Sequence, residues 1–197
     1  MEHRTRPYDR LVERAALQHG FLRQADLDDL AVTQVYLRKL TAAGRAEHRG
    51  RGLYRLTALP ITAHTEYQEA VLWAGGNAAI GGEAALAVWD LADVNPRRIE
   101  VIVPPGHRVR RKDKYRFTVV AARLGDADID LVDGIPVVVA KVAIRQAIDG
   151  GVEGTLIDQA IATATTKGLL QPLAEARLRV AVADRHANPP ARKIVRS

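Results

Sequence analysis

The sequence predicts an α+β fold in two parts, on three observations. Within the first 57 residues, three short amphipathic segments lead into a basic, glycine-turned hairpin. From residue 99 onward, β-branched runs alternate with turn signals and give way to three helical segments. Between the two parts the charge pattern changes in blocks. Residues 58 to 96 hold no lysine or arginine, whereas "RRIEVIVPPGHRVRRKDKYR" (97–116) is densely basic.

In the first part, Tyr8, Leu11, Val12 and Ala15 fall at i, i+3, i+4 and i+7 and mark one face of a helix. Gly20 is placed to close that helix as a left-handed cap. A short second helix, "RQADLDDL", is anchored by Leu27 and Leu30. The third is "VTQVYLRKLTAAG", begun near Thr33 and closed by Gly44. Its phase gathers Val32, Tyr36, Leu37, Leu40 and Ala43 on one side and sends Gln34, Arg38 and Thr41 to the other. Glutamine and arginine are side chains able to pair bidentately with adenine and guanine edges. A solvated polar face is the plain alternative for such a helix taken alone.

The hairpin changes that balance. "RAEHRGRGLYRL" alternates so that Tyr54 and Leu56 face one way and Leu53 and Arg55 the other. Gly50 and Gly52 supply the backbone freedom of its turn. Three helices and then a basic hairpin is the order of a winged helix-turn-helix. The third helix would enter the major groove, and Arg49 and Arg51 at the wing tip would meet the adjacent backbone.

The second part is expected to be a mixed α/β domain over 63–187, after the linker "TALPIT" and before a basic flexible tail, 188–197. It opens with a helix over about 63–73. Gly81-Gly82 then precedes a helix of small residues; lacking the lysine and Ser/Thr of a P-loop, the pair reads as close packing. Residues 99–105 and 117–124 read as strands, and "IDLVDGIPVVVA" as two more turned at Asp133-Gly134. Helices are expected over about 141–149, 154–167 and 172–185.

Composition limits the chemistry. There is no cysteine, and the only serine is the terminal Ser197, so the usual nucleophile schemes lack a nucleophile. The six histidines have no metal-ligand spacing, and no cofactor motif is present. "DADID" would place Asp126, Asp128 and Asp130 on one side of an extended segment, as a metal-dependent nucleotidyltransferase requires, but it reads more simply as an acidic surface segment. No catalytic site is expected. Nor is a secretory leader or membrane span, and the lack of cysteine fits the cytoplasm. A net charge of +6 favours polyanionic partners.

The run "YLRKLTAAGRAEHRGRGLYRL" resembles the N-terminal winged helix of AbiEi-like antitoxins, the antitoxin half of AbiE (type IV) toxin–antitoxin systems. "IGGEAALAVWDL", "IEVIVPP", the basic loop after it and "DGIPVVVAKVAIRQAID" are similar to the family's C-terminal domain in the same order. The resemblance implies an antitoxin that represses its own operon by binding upstream inverted repeats as double-stranded DNA. It also implies antagonism, direct or indirect, of a nucleotidyltransferase-like toxin. The DNA role carries over to Thr33, Gln34, Arg38, Arg49 and Arg51. The acidic stretches 58–96 and 124–133 would complement a basic toxin cleft. Arg108, Arg110 and Arg111 in the basic loop either contact flanking DNA or are solvated. The rival reading is a ligand-responsive winged-helix transcription factor without a toxin partner.

Overall fold

The computed structural model describes residues 6–50, 52–75, 77–109 and 116–187. The fold is α+β, with an N-terminal winged helix-turn-helix and a mixed α/β remainder. Helices α1 (Pro7–Ala16), α2 (Gln24–Asp29) and α3 (Gln34–Ala42) pack on a three-stranded antiparallel sheet of β1 (Phe21–Arg23), β2 (Ala46–Gly50) and β3 (Leu53–Leu56), in the order β1-β3-β2.

Each helix start has a local cause. Pro7 opens α1, where its missing N–H is no loss. Thr33 caps α3, its hydroxyl accepting the Tyr36 N–H at 3.4 Å. In α2 the Asp26 carboxylate reaches back to the Arg23 N–H at 2.7 Å. Asp26 is fully buried, yet it also accepts Arg14 Nη1 at 3.0 Å and the Arg23 guanidinium at 3.3 Å. Burial alone would raise its pKa; the Arg23 hydrogen bonds outweigh that and hold the carboxyl below its ordinary value.

Leu11, Ala15, Leu27, Leu37, Leu40, Tyr54 and Leu56 form the core beneath these helices. The alternation expected for the hairpin is present, but both faces of β3 are buried. Tyr54 and Leu56 join the helical core, whereas Leu53 meets Phe21 and Leu72 in a second cluster. Leu72 belongs to α4 (Thr65–Ala74), so the far face of the wing sheet is covered by the first helix after the linker. Arg55, expected on that far face, is 6% exposed and donates to the Leu59 carbonyl at 2.6 Å.

The second sheet has the order β6-β5-β4-β8-β7. It comprises β4 (Ala79–Gly81), β5 (Ile99–Val103), β6 (Phe117–Ala121), β7 (Ile129–Val132) and β8 (Ile135–Val138). β4 runs antiparallel to β5 and parallel to β8; β5 and β6 are parallel, and β7 and β8 form an antiparallel hairpin. Helices α4 and α5 (Gly82–Val88) contact the sheet, α6 (Ala140–Gly150) packs on α5, and α7 (Gly154–Thr166) and α8 (Pro172–Ala187) pack on α6. Alanines at 84, 85, 140, 143, 147, 160 and 164 are all buried in that core, which lets the helices approach closely.

Gly81 and Gly82 serve this packing. A Cβ at Gly81 would sit 2.5 Å from Ile102 Cδ1, and the Gly82 N–H donates to Gln146 Oε1 at 2.8 Å. Two strands and one geometry differ from the sequence reading. β1 and β4, three residues each, are too short to show a period. "DADID" is not extended: Asp126–Asp128 form a 3-10 turn, with Asp128 accepting the Gly125 N–H at 3.0 Å and lying 3.8 Å from Lys141 Nζ. The three carboxylates therefore do not share a strand face. Among the described residues no cluster of three His, Asp or Glu side chains is arranged to hold a metal, and no helix is long and apolar enough to cross a membrane.

Candidate nucleic-acid interface

The turn between α2 and α3 is tight. Ala31 takes a left-handed φ of 51°, and the Val32 N–H returns to the Leu27 carbonyl at 2.9 Å. This fixes α3 against α2 through Leu27, Val32 and Leu37 and leaves the opposite side of α3 open.

Leu37 and Leu40 are buried, while Gln34, Val35, Arg38, Lys39 and Ala42 are exposed. At about 100° per residue the exposed face centres on Val35 and Ala42, with Arg38 and Lys39 flanking it. The expected face, Gln34, Arg38 and Thr41, is therefore rotated from the observed one. Thr41 lies at the margin, half-buried, its hydroxyl donating to the Leu37 carbonyl at 3.0 Å. Val35, 59% exposed, and Lys39 were missed because the sequence phase counts Tyr36 and Ala43 as core, whereas the structure leaves Tyr36 half-buried and Ala43 exposed.

Gln34 and Arg38 stand one turn apart, as the sequence indicated, and form a chain of long hydrogen bonds. Arg38 Nη2 donates to Gln34 Oε1 at 3.4 Å, Gln34 Nε2 to Gln24 Oε1 at 3.4 Å, and Gln24 Nε2 to Asp28 Oδ1 at 3.4 Å. Contacts of that length on an exposed surface are weak and give way readily to a better partner. The face offers an amide, a guanidinium, an ammonium and a branched apolar group. In a major groove these chemistries match adenine, guanine, phosphate and the thymine methyl.

The wing is more committed than its sequence suggests. Arg49 forms a two-point pair with Glu69 of α4, Nε to Oε1 and Nη2 to Oε2, both at 3.0 Å. Glu69 is 4% exposed and also accepts Arg116 Nη2 at 3.2 Å. One acid of the 58–96 stretch is thus consumed inside the molecule, and the wing arginine expected to face phosphate is drawn toward α4. Arg51, Arg110 and Arg111 lie outside the described residues. Arg108 is exposed beside His107, whose Nε2 pairs with the Ala74 carbonyl at 2.9 Å. Thr33 is exposed as well as capping its helix.

Known proteins share this geometry to different extents. The crystal structure of the RV2827C protein from Mycobacterium tuberculosis is similar at a TM-score of 0.50 and 15% identity, covering 90% of this chain and 76% of that one. At that identity the likeness is one of fold. A comparison with curated proteins found no match. Residues 9–57, which span the winged helix, match the family model described as "Transcriptional regulator, AbiEi antitoxin".

Proposed function

We propose that the chain is an antitoxin that represses its own operon, using the winged helix to bind upstream inverted repeats. Its toxin would be a nucleotidyltransferase-like enzyme, antagonised directly or indirectly, in the cytoplasm. The observation that carries the DNA half is the α3 face: five adjacent exposed residues, polar, cationic and apolar, on a helix whose other side is locked into a core. That face lies within the segment matching a regulator family.

The division of labour is part of the same proposal. Residues 1–57 would bind DNA, 63–187 would carry antitoxicity, and the basic tail 188–197 would add non-specific affinity. Base reading falls to Gln34, Val35 and Arg38, with Thr33 and Thr41 at the ends of the face. Lys39, Arg51, Arg108, Arg110 and Arg111 would meet phosphates, and Arg49 would do so once released from Glu69. Catalysis has no place in this reading.

The test is binding to the DNA upstream of the gene, against scrambled DNA of equal length, across a salt series. A Gln34→Ala/Arg38→Ala variant should lose sequence preference while keeping the non-specific component. Each bidentate base contact is worth about 1–3 kcal/mol of discrimination. Equal binding of both DNAs by the wild type would reject the repressor half. For the antitoxin half, co-expression with the neighbouring toxin gene should restore growth, and failure to do so would reject it.

A further inference from the structure

Helix α8 is apolar on two opposite sides. Leu178 and Val182 are buried in the core, whereas Leu173 and Val180 are 64% and 60% exposed. At about 100° per residue those two outward positions share a face with Ala176, Ala183 and Ala187, all of them exposed. The five follow one another at steps of 3, 4, 3 and 4 residues, the heptad spacing of a seam that receives a second helix. A helix with only a core to cover would be polar on that side.

The charges beside the seam indicate what that helix is. Arg177 and Asp184 stand one heptad apart on the same flank, both exposed, and line one groove with Val180 and Arg145 of α6. Among the described residues neither Arg177 nor Asp184 has an ion-pair or hydrogen-bond partner. Their neighbours on α8 are already engaged: Arg179 Nη2 with Glu175 Oε1 at 2.8 Å, and Arg185 Nη1 with the Val152 carbonyl at 2.8 Å. Opposite charges one heptad apart complement a second copy of the same helix laid antiparallel, because each Arg177 then faces an Asp184. A parallel copy would instead set Asp184 beside Arg179, which Glu175 holds. Antiparallel packing also opposes the two helix dipoles.

We propose that α8 is a homodimerisation helix that pairs antiparallel with α8 of a second copy of this chain. Val180 and Ala183 meet across the two-fold axis, Ala176 and Ala187 flank them, and the Arg177–Asp184 pair occurs twice by symmetry. Leu173 covers the outer end of the seam on each side. Sixteen residues give a seam about 24 Å long. A strip of that length falls short of the roughly 800 Å² per partner of a standard interface, so a Kd on the order of 10–100 µM is expected. The inference goes beyond the repressor reading and does not rest on it, because association is measured without DNA. If that reading holds, a two-fold pair of winged helices has the symmetry of an inverted repeat.

The experiment is sedimentation equilibrium of the full chain from about 1 to about 500 µM, where the mass should rise from one chain toward two. Val180→Glu should weaken association at least about tenfold, and Ala183→Glu should do the same. Both positions are exposed, so the monomer fold is expected to survive; thermal melts establish it, and either variant suffices if the other is not folded. Arg177→Asp sets an acid against Asp184 of the second copy and should weaken the dimer about tenfold. Arg177→Asp/Asp184→Arg restores opposite charges and should associate as the wild type does. A chain that stays monomeric throughout overturns the proposal, as does association that the folded glutamate variants leave intact. It is also overturned if the double exchange is as weak as Arg177→Asp alone, since the antiparallel pairing requires the rescue.

Discussion

Glu69 offers a direct test of how the wing is held. Its side chain is 6% exposed, while those of Arg49 and Arg116 are 34% and 36% exposed. The three deletions are therefore unequal. Arg49→Ala removes two charge-assisted bonds but leaves Arg116 on the carboxylate at 3.2 Å, for a cost of about 1–2 kcal/mol. Arg49→Ala/Arg116→Ala strands a buried carboxylate, and about 3–5 kcal/mol is expected. Adding Glu69→Gln to that pair should recover about half the loss, because the orphaned charge is gone. Urea unfolding followed by far-UV circular dichroism measures all of these, and for a chain of this size each kcal/mol corresponds to roughly 2–4 °C in Tm. A triple variant no more stable than the double would refute the claim that a buried, unpaired carboxylate is what costs. Glu69→Gln alone carries a second readout. It removes the anion that holds Arg49 toward α4, and if Arg49 then reaches phosphate, the slope of log K against log salt should steepen by about 0.9.

Other outcomes concern single sites. Val35→Ala should cost little stability, since Val35 is exposed, yet lower operator affinity by about 1 kcal/mol in gel-shift titrations if it reads a thymine methyl; unchanged affinity would remove it from the interface. Gly81→Ala should destabilise by about 1–3 kcal/mol in the same urea assay, because the added Cβ meets buried Ile102 at 2.5 Å; a neutral effect would mean the core yields. Asp26→Asn should cost about 2–3 kcal/mol at pH 7. Asp26 has a lowered folded pKa, so its stabilisation is full above the ordinary carboxyl value and fades as pH falls through the folded one. The charge-dependent part of the wild-type advantage should therefore vanish in strong acid, and an advantage independent of pH would count against the hydrogen-bond account.

Much of the fold was legible because long periodic segments announce themselves. Helices α6, α7 and α8 and strands β5 and β6 lie where periodicity and β-branched runs placed them. The hairpin turn at Asp133-Gly134 was likewise readable, both residues taking positive φ of 49° and 81°. What escaped was tertiary. Three-residue strands carry no period. The second buried face of β3 depends on Leu72, nineteen positions past Leu53 and contributed by a helix whose own pattern says nothing about the wing. The α3 face differs for a related reason: Tyr36 and Ala43 count as apolar in sequence, yet Tyr36 is only half-buried and Ala43 has no core to enter. Charge blocks misled similarly. Glu69 reads as one of several acids on a partner-facing surface, and only the fold brings Arg49 and Arg116 to it.

Those same contacts bear on how the two parts of the molecule act together. A winged helix on a free linker would read DNA independently of the C-terminal part. Here α4 supplies Leu72 to the wing sheet and Glu69 to the wing arginine. Beside it, His64 Nδ1 lies 2.8 Å from the Asp133 carboxylate, and His19 Nε2 lies 2.8 Å from the Asp133 carbonyl. Apolar, ionic and histidine contacts thus converge on one short helix and its entry, so a displacement of α4 perturbs them together. Whatever binds the second part can reach the wing only through differential contact with this seam. A toxin or ligand that favours a shifted α4 would weaken the Arg49–Glu69 pair and return a cation to the wing; one that favours the observed seating would withhold it. The direction is measurable as the change in salt slope when the partner is added, and Glu69→Gln, which has already lost the anionic end of that pair, should abolish the change.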